Sequence, residues 1–259
     1  MRSEQQDRPV VLMHIHSTVY SSDAVVVQRN TPFLHAIAPS CPRCDSYYTD
    51  PNCPCATTRN HVHRFNQAHI PARYFHATLD TIDAHRTDCQ PLRRLYRWIT
   101  AFATREPLSS EGMLVSGPCA VGKTHAIAAL LRHVTLGRGV EALFVDWIQL
   151  LHNIKSAFAG EGNAHEHIDT LKRFQLLVLD DVADVNGSQW ARHLLDEIIS
   201  ARYNAVLPTL LTTNLSLPSQ QSYLAAPFDS WALEHTTSRL RQMCHWLTVT
   251  GPDKRMTRQ

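Results

Sequence analysis

A loop that could bind the phosphates of a nucleotide lies near the middle of the chain. Residues 117–124 read Gly-Pro-Cys-Ala-Val-Gly-Lys-Thr, which fits the pattern G-x-x-x-x-G-K-[ST] without a mismatch. In such a loop the glycines let backbone amides turn toward phosphate oxygens, the lysine reaches the β and γ phosphates, and the threonine hydroxyl ligates Mg²⁺. The candidate nucleotide-binding residues are Gly117, Pro118, Cys119, Ala120, Val121, Gly122, Lys123, Thr124 and His125. An apolar strand before the loop and a helix after it favour this interpretation over a merely flexible glycine loop.

Polar side chains follow two other apolar runs, where predicted strands end. Residues 176–179 are Leu-Leu-Val-Leu and precede Asp180 and Asp181. We expect Asp180 to hold Mg²⁺ together with Thr124, and Asp181 to polarise the attacking water, which favours hydrolysis over transfer to a small acceptor. Asn214 follows another such run and could orient that water; taken alone, an asparagine there is equally typical of a helix cap or a turn.

Arginines near the C-terminus could act on a nucleotide held by a neighbouring subunit. Arg239 and Arg241 lie on the last predicted helix, and Arg255 follows it in the segment Gly-Pro-Asp-Lys-Arg. Arginines at such positions are typical of a residue that one subunit supplies to stabilise the transition state at the nucleotide of another. Solvated arginines on a helix face are the alternative.

Four of the seven cysteines fall within 15 residues, as Cys41-Pro-Arg-Cys44 and Cys53-Pro-Cys55. Two close thiolate pairs are enough to close a tetrahedral zinc site, and a site with four thiolates has a structural role because no coordination position is open. His61 or His63 could replace one cysteine. Disulfides are the other alternative, and a cytosolic protein argues against them.

The elements around these residues alternate between strand and helix. Strands are predicted at 113–116, 142–145, 176–179 and 209–212, and helices at 124–134, 148–159, 190–202 and 231–243. This alternation predicts an α/β fold with a parallel sheet flanked by helices. Residues 1–66 have few periodic elements and five prolines between 32 and 54, so we expect a small N-terminal module stapled by zinc.

The composition excludes several classes of protein. With 44% hydrophobic and 19% charged residues the chain is neither disordered nor collagenous. The absence of a long apolar run and of a signal peptide predicts a cytoplasmic protein with no membrane partner. A net charge of +2 is too small to indicate nucleic-acid binding by itself.

Taken in order, these motifs resemble the DnaC/DnaI-type helicase-loader group of AAA+ ATPases, which includes IstB. The resemblance covers residues 70–256 and includes the lead-in Ile-Pro-Ala-Arg-Tyr at 70–74, Ile-Ser-Ala-Arg-Tyr at 199–203 and Leu-Leu-Thr-Thr-Asn at 210–214. It implies that the loop is Walker A, that Asp180 and Asp181 are Walker B, and that Asn214 is sensor 1. It further implies that Arg239 is an arginine finger acting on the next protomer and that Arg255 is the sensor 2 arginine. Asp181 departs from the glutamate that is commonest in AAA+ proteins, which makes slow or partner-stimulated hydrolysis plausible.

The resemblance also implies an organisation and a function. We expect a zinc-binding, helicase-docking module at 1–66, a linker and lead-in helix at 67–110, and an AAA+ core at 111–259. The chain stops four residues after Arg255, which predicts a core without the C-terminal helical lid. The implied function is ATP-dependent loading of a hexameric replicative helicase onto single-stranded DNA, with self-association through the core, in a bacterium or a phage-infected host. An IstB-like transposition helper, a non-hydrolysing nucleotide-switched adaptor and a small-molecule P-loop kinase are the alternatives.

Overall fold

Eight strands and eight α-helices form the part of the chain that the computed structural model describes, which is residues 10–11, 25–41, 44, 52–53, 55–82, 89–161, 163–182, 188–217, 228–251 and 253. The strands are β1 (Val10–Val11), β2 (Val26–Asn30), β3 (Phe33–Ile37), β4 (Gly112–Ser116), β5 (Ala142–Asp146), β6 (Leu176–Asp180), β7 (Thr209–Thr213) and β8 (Cys244–Thr248). The helices are α1 (Cys55–Gln67), α2 (Gln90–Thr104), α3 (Lys123–Arg138), α4 (Trp147–Ser156), α5 (Ala164–Arg173), α6 (Gln189–Asn204), α7 (Phe228–Trp231) and α8 (Glu234–Met243).

The central sheet has the strand order β5-β6-β7-β4-β8, and all its strand pairs are parallel. Its middle strands β4 and β7 are buried along their whole length, as expected for a sheet covered on both faces. One apolar cluster includes side chains of α1, α2 and α3, and a second includes those of α4, α5, α6 and α8. The α/β fold predicted from the sequence is therefore confirmed.

Several elements differ from the sequence prediction. β8 and α5 were not predicted, and β8 extends the sheet by pairing with β4 from Gly112–Cys244 to Ser116–Thr248. The helix predicted at 148–159 has its α-helical part at Trp147–Ser156 and passes into a π-helical turn at Ala157–Glu161. The helix predicted at 231–243 corresponds to α8 and begins three residues later, whereas Trp231 is the last residue of the short helix α7.

The N-terminal region packs directly on the sheet domain. β2 and β3 form an antiparallel hairpin, and the side chain of Asn66 in α1 bonds to both the N–H (2.7 Å) and the C=O (3.0 Å) of Ala36 in β3. Val62 and Phe65 of α1 are buried in the same cluster as the inner face of α3. The predicted domain boundary after residue 66 thus falls within α1, a helix that shares its core with α3.

A buried arginine joins three elements of the second cluster. Arg202 of α6 is 0% exposed and donates to the carbonyl oxygens of Leu171 (3.0 Å), Phe174 (2.8 Å) and Pro208 (2.7 Å) and to the hydroxyl of Thr209 (2.8 Å). These bonds satisfy carbonyl oxygens at the end of α5 and fix it against the start of β7.

Within the described ranges, no helix is both long and apolar enough to cross a bilayer.

Candidate nucleotide-binding site

The predicted phosphate loop connects the end of β4 to the start of α3. Gly117 has φ +151° and Gly122 has φ +108°, which L side chains rarely adopt. A Cβ built on Gly117 would overlap the carbonyl oxygen of Val249, which follows β8. The Gly117 N–H donates to the Thr213 carbonyl (3.2 Å), and the Val249 N–H donates to that of Ser116 (2.7 Å). The loop is therefore anchored to both strands that flank β4.

Lys123, the first residue of α3, is 6% exposed and makes three hydrogen bonds. Its ammonium donates to the carbonyl oxygens of Gly117 (2.6 Å) and Pro118 (2.9 Å) and to Oδ1 of Asn214 (2.9 Å). A buried ammonium surrounded by backbone oxygens and the N-terminus of a long helix is an environment suited to phosphate.

Asn214 lies just beyond β7 and connects Lys123 to the predicted second acid. Its amide nitrogen donates to Oδ1 of Asp181 at 2.6 Å, while its oxygen accepts from Lys123. Asp181 has φ +56°, and its backbone N–H donates to the Thr212 hydroxyl (2.8 Å). A left-handed conformation costs a non-glycine residue about 1 kcal/mol, although aspartate adopts it more readily than most residues.

Asp180 ends β6 beside the phosphate loop. Its Oδ1 accepts hydrogen bonds from the hydroxyls of Thr124 (2.8 Å) and Thr212 (2.7 Å). Burial raises the pKa of Asp180 above its ordinary value, and the nearby carboxylates of Asp181 and Asp146 raise it further, while the two hydroxyl bonds oppose the shift. A buried carboxylate next to a threonine hydroxyl offers the hard oxygen ligands that Mg²⁺ prefers.

Two contributors near this edge of the sheet had weak or no signals in the sequence. Asp146 ends β5 in register with Asp180 and caps α4 through the Gln149 N–H (3.0 Å), so its sequence context indicates only a helix cap. Thr81, from the segment after the predicted lead-in, contacts Nε2 of His125 at 3.3 Å. This contact brings the segment that follows the lead-in to the first turn of α3.

Arg239 contacts a residue other than Asn214, Asp180 or Asp181. It lies on α8, and its Nη1 is 3.3 Å from Oδ1 of Asp196 in α6. Oδ1 of Asp196 also accepts from the Thr236 hydroxyl (2.7 Å), and Oδ2 contacts His235 Nε2 (3.0 Å). The role of Arg239 on the nucleotide of the next protomer stays a prediction. Arg255 lies outside the described residues.

The four predicted zinc ligands converge next to α1. Cys41, Cys44, Cys53 and Cys55 are not joined by disulfides, and their sulfur atoms all lie within 4.8 Å of one another. The Sγ–Sγ distances are 3.6 Å for Cys41–Cys53 and for Cys44–Cys55. Tetrahedral zinc with bonds of about 2.3 Å separates its sulfurs by about 3.8 Å, so the cluster fits zinc and not two disulfides.

Of the two histidines that could have replaced a cysteine, His61 points elsewhere. Nδ1 of His61 is 2.8 Å from the carbonyl oxygen of Leu136 in α3, and its ring lies against Gly139. Arg59, one turn into α1, instead adds a donor to the cluster, with Nη1 2.8 Å from Cys55 Sγ. Burial and the neighbouring thiols raise the pKa of the Cys55 thiol to about 12, so metal binding there would release a proton.

Comparisons with known proteins agree with this geometry. The family model of IstB-like ATP-binding proteins matches residues 55–259. The replicative helicase loader DnaC of Escherichia coli strain K12 is 25% identical over 112 residues, which are 43% of this chain and 45% of that protein. A putative ATP-binding protein of insertion sequence IS1162 from Pseudomonas fluorescens is 31% identical over 121 residues, 47% of this chain and 50% of that protein.

The crystal structure of a DnaC helicase loader superimposes with a TM-score of 0.59 at 30% identity, covering 68% of this chain and 98% of that one. Against the two full-length relatives, by contrast, the chain spans about half of their length. The chain is thus similar to proteins whose names refer to helicase loading and to others whose names refer to insertion sequences.

Proposed function

Since the chain belongs to the IstB-like ATP-binding proteins, a family of AAA+ ATPases, we propose that it hydrolyses ATP and uses this activity to load a replicative DNA helicase onto single-stranded DNA. The family membership confirms the resemblance seen in the motifs. The observation that carries the ATPase half of the proposal is the hydrogen-bonded series Lys123–Asn214–Asp181 beside the Thr124–Asp180 pair.

Each residue of this series has a distinct task in the proposal. Phosphate oxygens replace the carbonyl and amide oxygens now bonded to Lys123, and the amides of residues 117–124 bind the same phosphates. Thr124 and Asp180 hold Mg²⁺, which when bound neutralises charge on the β and γ phosphates. Asp181 orients and polarises the attacking water, and Asn214 fixes the carboxylate of Asp181. A shorter carboxylate than glutamate fits slow turnover that a partner accelerates.

The loading half of the proposal rests on the relationship to DnaC. It includes a hexameric helicase as partner, single-stranded DNA, and self-association in the bacterial cytoplasm. Arg239 acts on the nucleotide of the next subunit, and Arg255 acts as sensor 2. Backbone-directed contacts to single-stranded DNA need no base preference. A surface of residues 1–66 docks the helicase, residues 67–110 connect, and residues 111–259 form the ATPase core, to which α1 adds one layer.

ATP turnover by the purified full-length chain tests the first half. We expect slow Mg²⁺-dependent release of phosphate that falls at least 100-fold in Lys123→Ala, because the ammonium is the main cation for the phosphates. Cys244→Ser is a control, since its thiol donates to the Thr209 carbonyl at the end of the sheet opposite the phosphate loop. Tight ATP binding without turnover, even with helicase and single-stranded DNA present, would indicate a nucleotide-switched adaptor instead.

Helicase capture by the full-length chain tests the second half. The intact protein is needed because α1 shares its core with α3. We expect a bacterial replicative helicase to be retained in the presence of ATP and helicase loading to fail in Arg239→Ala. A chain that hydrolyses ATP but neither binds a helicase nor affects its loading would contradict the loader assignment while leaving the ATPase intact.

A transposition helper is the second candidate, favoured by the family model and by the 31% identity to the insertion-sequence protein. Such a protein would assemble with ATP on duplex DNA and act with a transposase. Filament formation on duplex DNA with no helicase binding would select this candidate. The distinction is clean because both candidates predict the same ATPase site and differ in the DNA and protein they bind.

A further inference from the structure

The cysteine cluster is joined to the start of α1. Cys55 is the first residue of α1, and Cys53 lies two residues before it with its sulfur 3.2 Å away. Arg59, on the next turn, donates to the sulfur of Cys55 at 2.8 Å. A metal held by the four sulfurs would therefore fix the start of this helix to the loop that carries Cys41 and Cys44.

The remainder of α1 packs against the C-terminal half of α3, the helix that begins with the phosphate-loop lysine. His61 bonds to the Leu136 carbonyl at 2.8 Å, and its ring fills the space where Gly139 has no side chain. Gly139 caps α3 in the left-handed conformation, φ +63°, so a larger residue is disfavoured there on two counts. The contact thus depends on both helices keeping their present positions.

Two further contacts join α1 to β5, the first edge strand of the sheet. Arg64 forms an ion pair with Glu141 at 2.6 Å, just before β5. The Ala68 carbonyl after α1 accepts a hydrogen bond from the N–H of Phe144 at 2.8 Å. These contacts, together with buried Val62 and Phe65, make α1 one layer of the sheet domain.

We propose that the four cysteines form a structural metal site of the ATPase core itself, in which bound Zn²⁺ fixes α1, α1 braces α3 and β5, and metal and nucleotide binding are coupled. The coupling passes along α3, from Leu136 to Lys123, a distance of about 20 Å at 1.5 Å per residue. Linkage requires that each ligand raise the affinity for the other by the same factor. The nucleotide part of this inference rests on the proposed ATP binding.

Hydrogen exchange on the full-length zinc-loaded chain tests the bracing directly. Zinc is removed with a chelator and then restored, and exchange is followed in peptides that cover α1, α3 and β5. We expect protection to fall in all three elements on removal and to return with zinc. In the same samples, the affinity for a fluorescent ATP analogue should weaken at least threefold without zinc and recover with it.

Matched variants separate metal loss from general damage. Cys44→Ser should lose zinc and reproduce the effects of the chelator. Cys89→Ser, whose thiol donates to the Thr250 carbonyl outside the cluster, should keep zinc, exchange and affinity unchanged. If Cys44→Ser does not fold, His61→Ala keeps all four sulfurs and loses the bond to Leu136 and the ring packed beside Gly139. It should bind one zinc per chain, while exchange in α3 responds less to zinc than in the parent.

Two results would overturn the inference. In one, zinc removal loosens α1 alone and leaves α3, β5 and the affinity for the ATP analogue unchanged, which describes a detachable docking module. In the other, the chain binds no zinc. A zinc-loaded chain that binds no ATP analogue would instead refute the proposed function, and exchange in α3 and β5 would still decide whether the metal braces the core.

Discussion

Replacing Asn214 tests separately how the site binds ATP and how it hydrolyses it, because this one side chain contacts both Lys123 and Asp181. Its amide donates to Asp181 at 2.6 Å and its oxygen accepts from Lys123 at 2.9 Å. In Asn214→Ala, Asp181 loses the donor that orients it toward water. A hydrogen bond to a charged group contributes about 1.5 kcal/mol, so we expect kcat to fall about tenfold.

The same substitution should act in the opposite direction on ATP binding. Phosphate must replace Asn214 as a partner of Lys123, so removal of this competitor lowers the free energy of binding. Because the Lys123 ammonium is charged and buried, its bond to Asn214 also contributes about 1.5 kcal/mol, and the Kd for ATP should fall about tenfold. Asn214→Asp should weaken ATP binding, because a carboxylate holds Lys123 more firmly than an amide does. It should also lower kcat, because the new carboxylate repels Asp181.

Single-turnover hydrolysis and equilibrium titration with a fluorescent ATP analogue measure the two constants separately. Asn153→Ala is the control, since Asn153 is an exposed asparagine on α4 that only accepts from Gln149 (2.8 Å). An unchanged kcat in Asn214→Ala, or a Kd that weakens more than threefold, would refute the assignment of Asn214 as the link between lysine and acid.

Three further predictions use other parts of the structure. Gly117→Ala should abolish ATP binding in a titration, because its Cβ would overlap the Val249 carbonyl. Gly137→Ala, with open space around it, should instead raise the free energy of unfolding by about 0.5–1 kcal/mol, measured with denaturant. Burial raises the pKa of Asp180, so a proton competes with Mg²⁺ for this carboxylate as the pH falls. The affinity for ATP should therefore decline in acid when Mg²⁺ is present, but not when a chelator has removed it. Asp180→Asn should lack this decline. Arg202→Met should lower the free energy of unfolding by about 3 kcal/mol or more, measured with urea, since three buried carbonyls lose their donor; a loss under 1 kcal/mol would contradict this.

Local patterns in the sequence were sufficient for the strands that carry the site. The phosphate loop needs glycines and a lysine at fixed spacing, and short apolar runs ending in Asp180 or Asn214 predict buried parallel strands with polar ends. β8 was missed because its sequence, Cys-His-Trp-Leu-Thr, joins the sheet as an edge strand only by pairing with β4, which lies more than 100 residues away. α1 was missed because only Val62 and Phe65 are buried in a helix that is otherwise polar.

The sequence by itself determined which side chains are candidates for the chemistry, because residue type and spacing decide what can bind phosphate, Mg²⁺ or zinc. Only the tertiary structure decided how they are connected. It joined Asn214 to Lys123 and Asp181, paired Arg239 with Asp196, and turned His61 away from the thiols toward α3. These contacts join residues distant in the chain, so they depend on packing between elements, which no local pattern encodes.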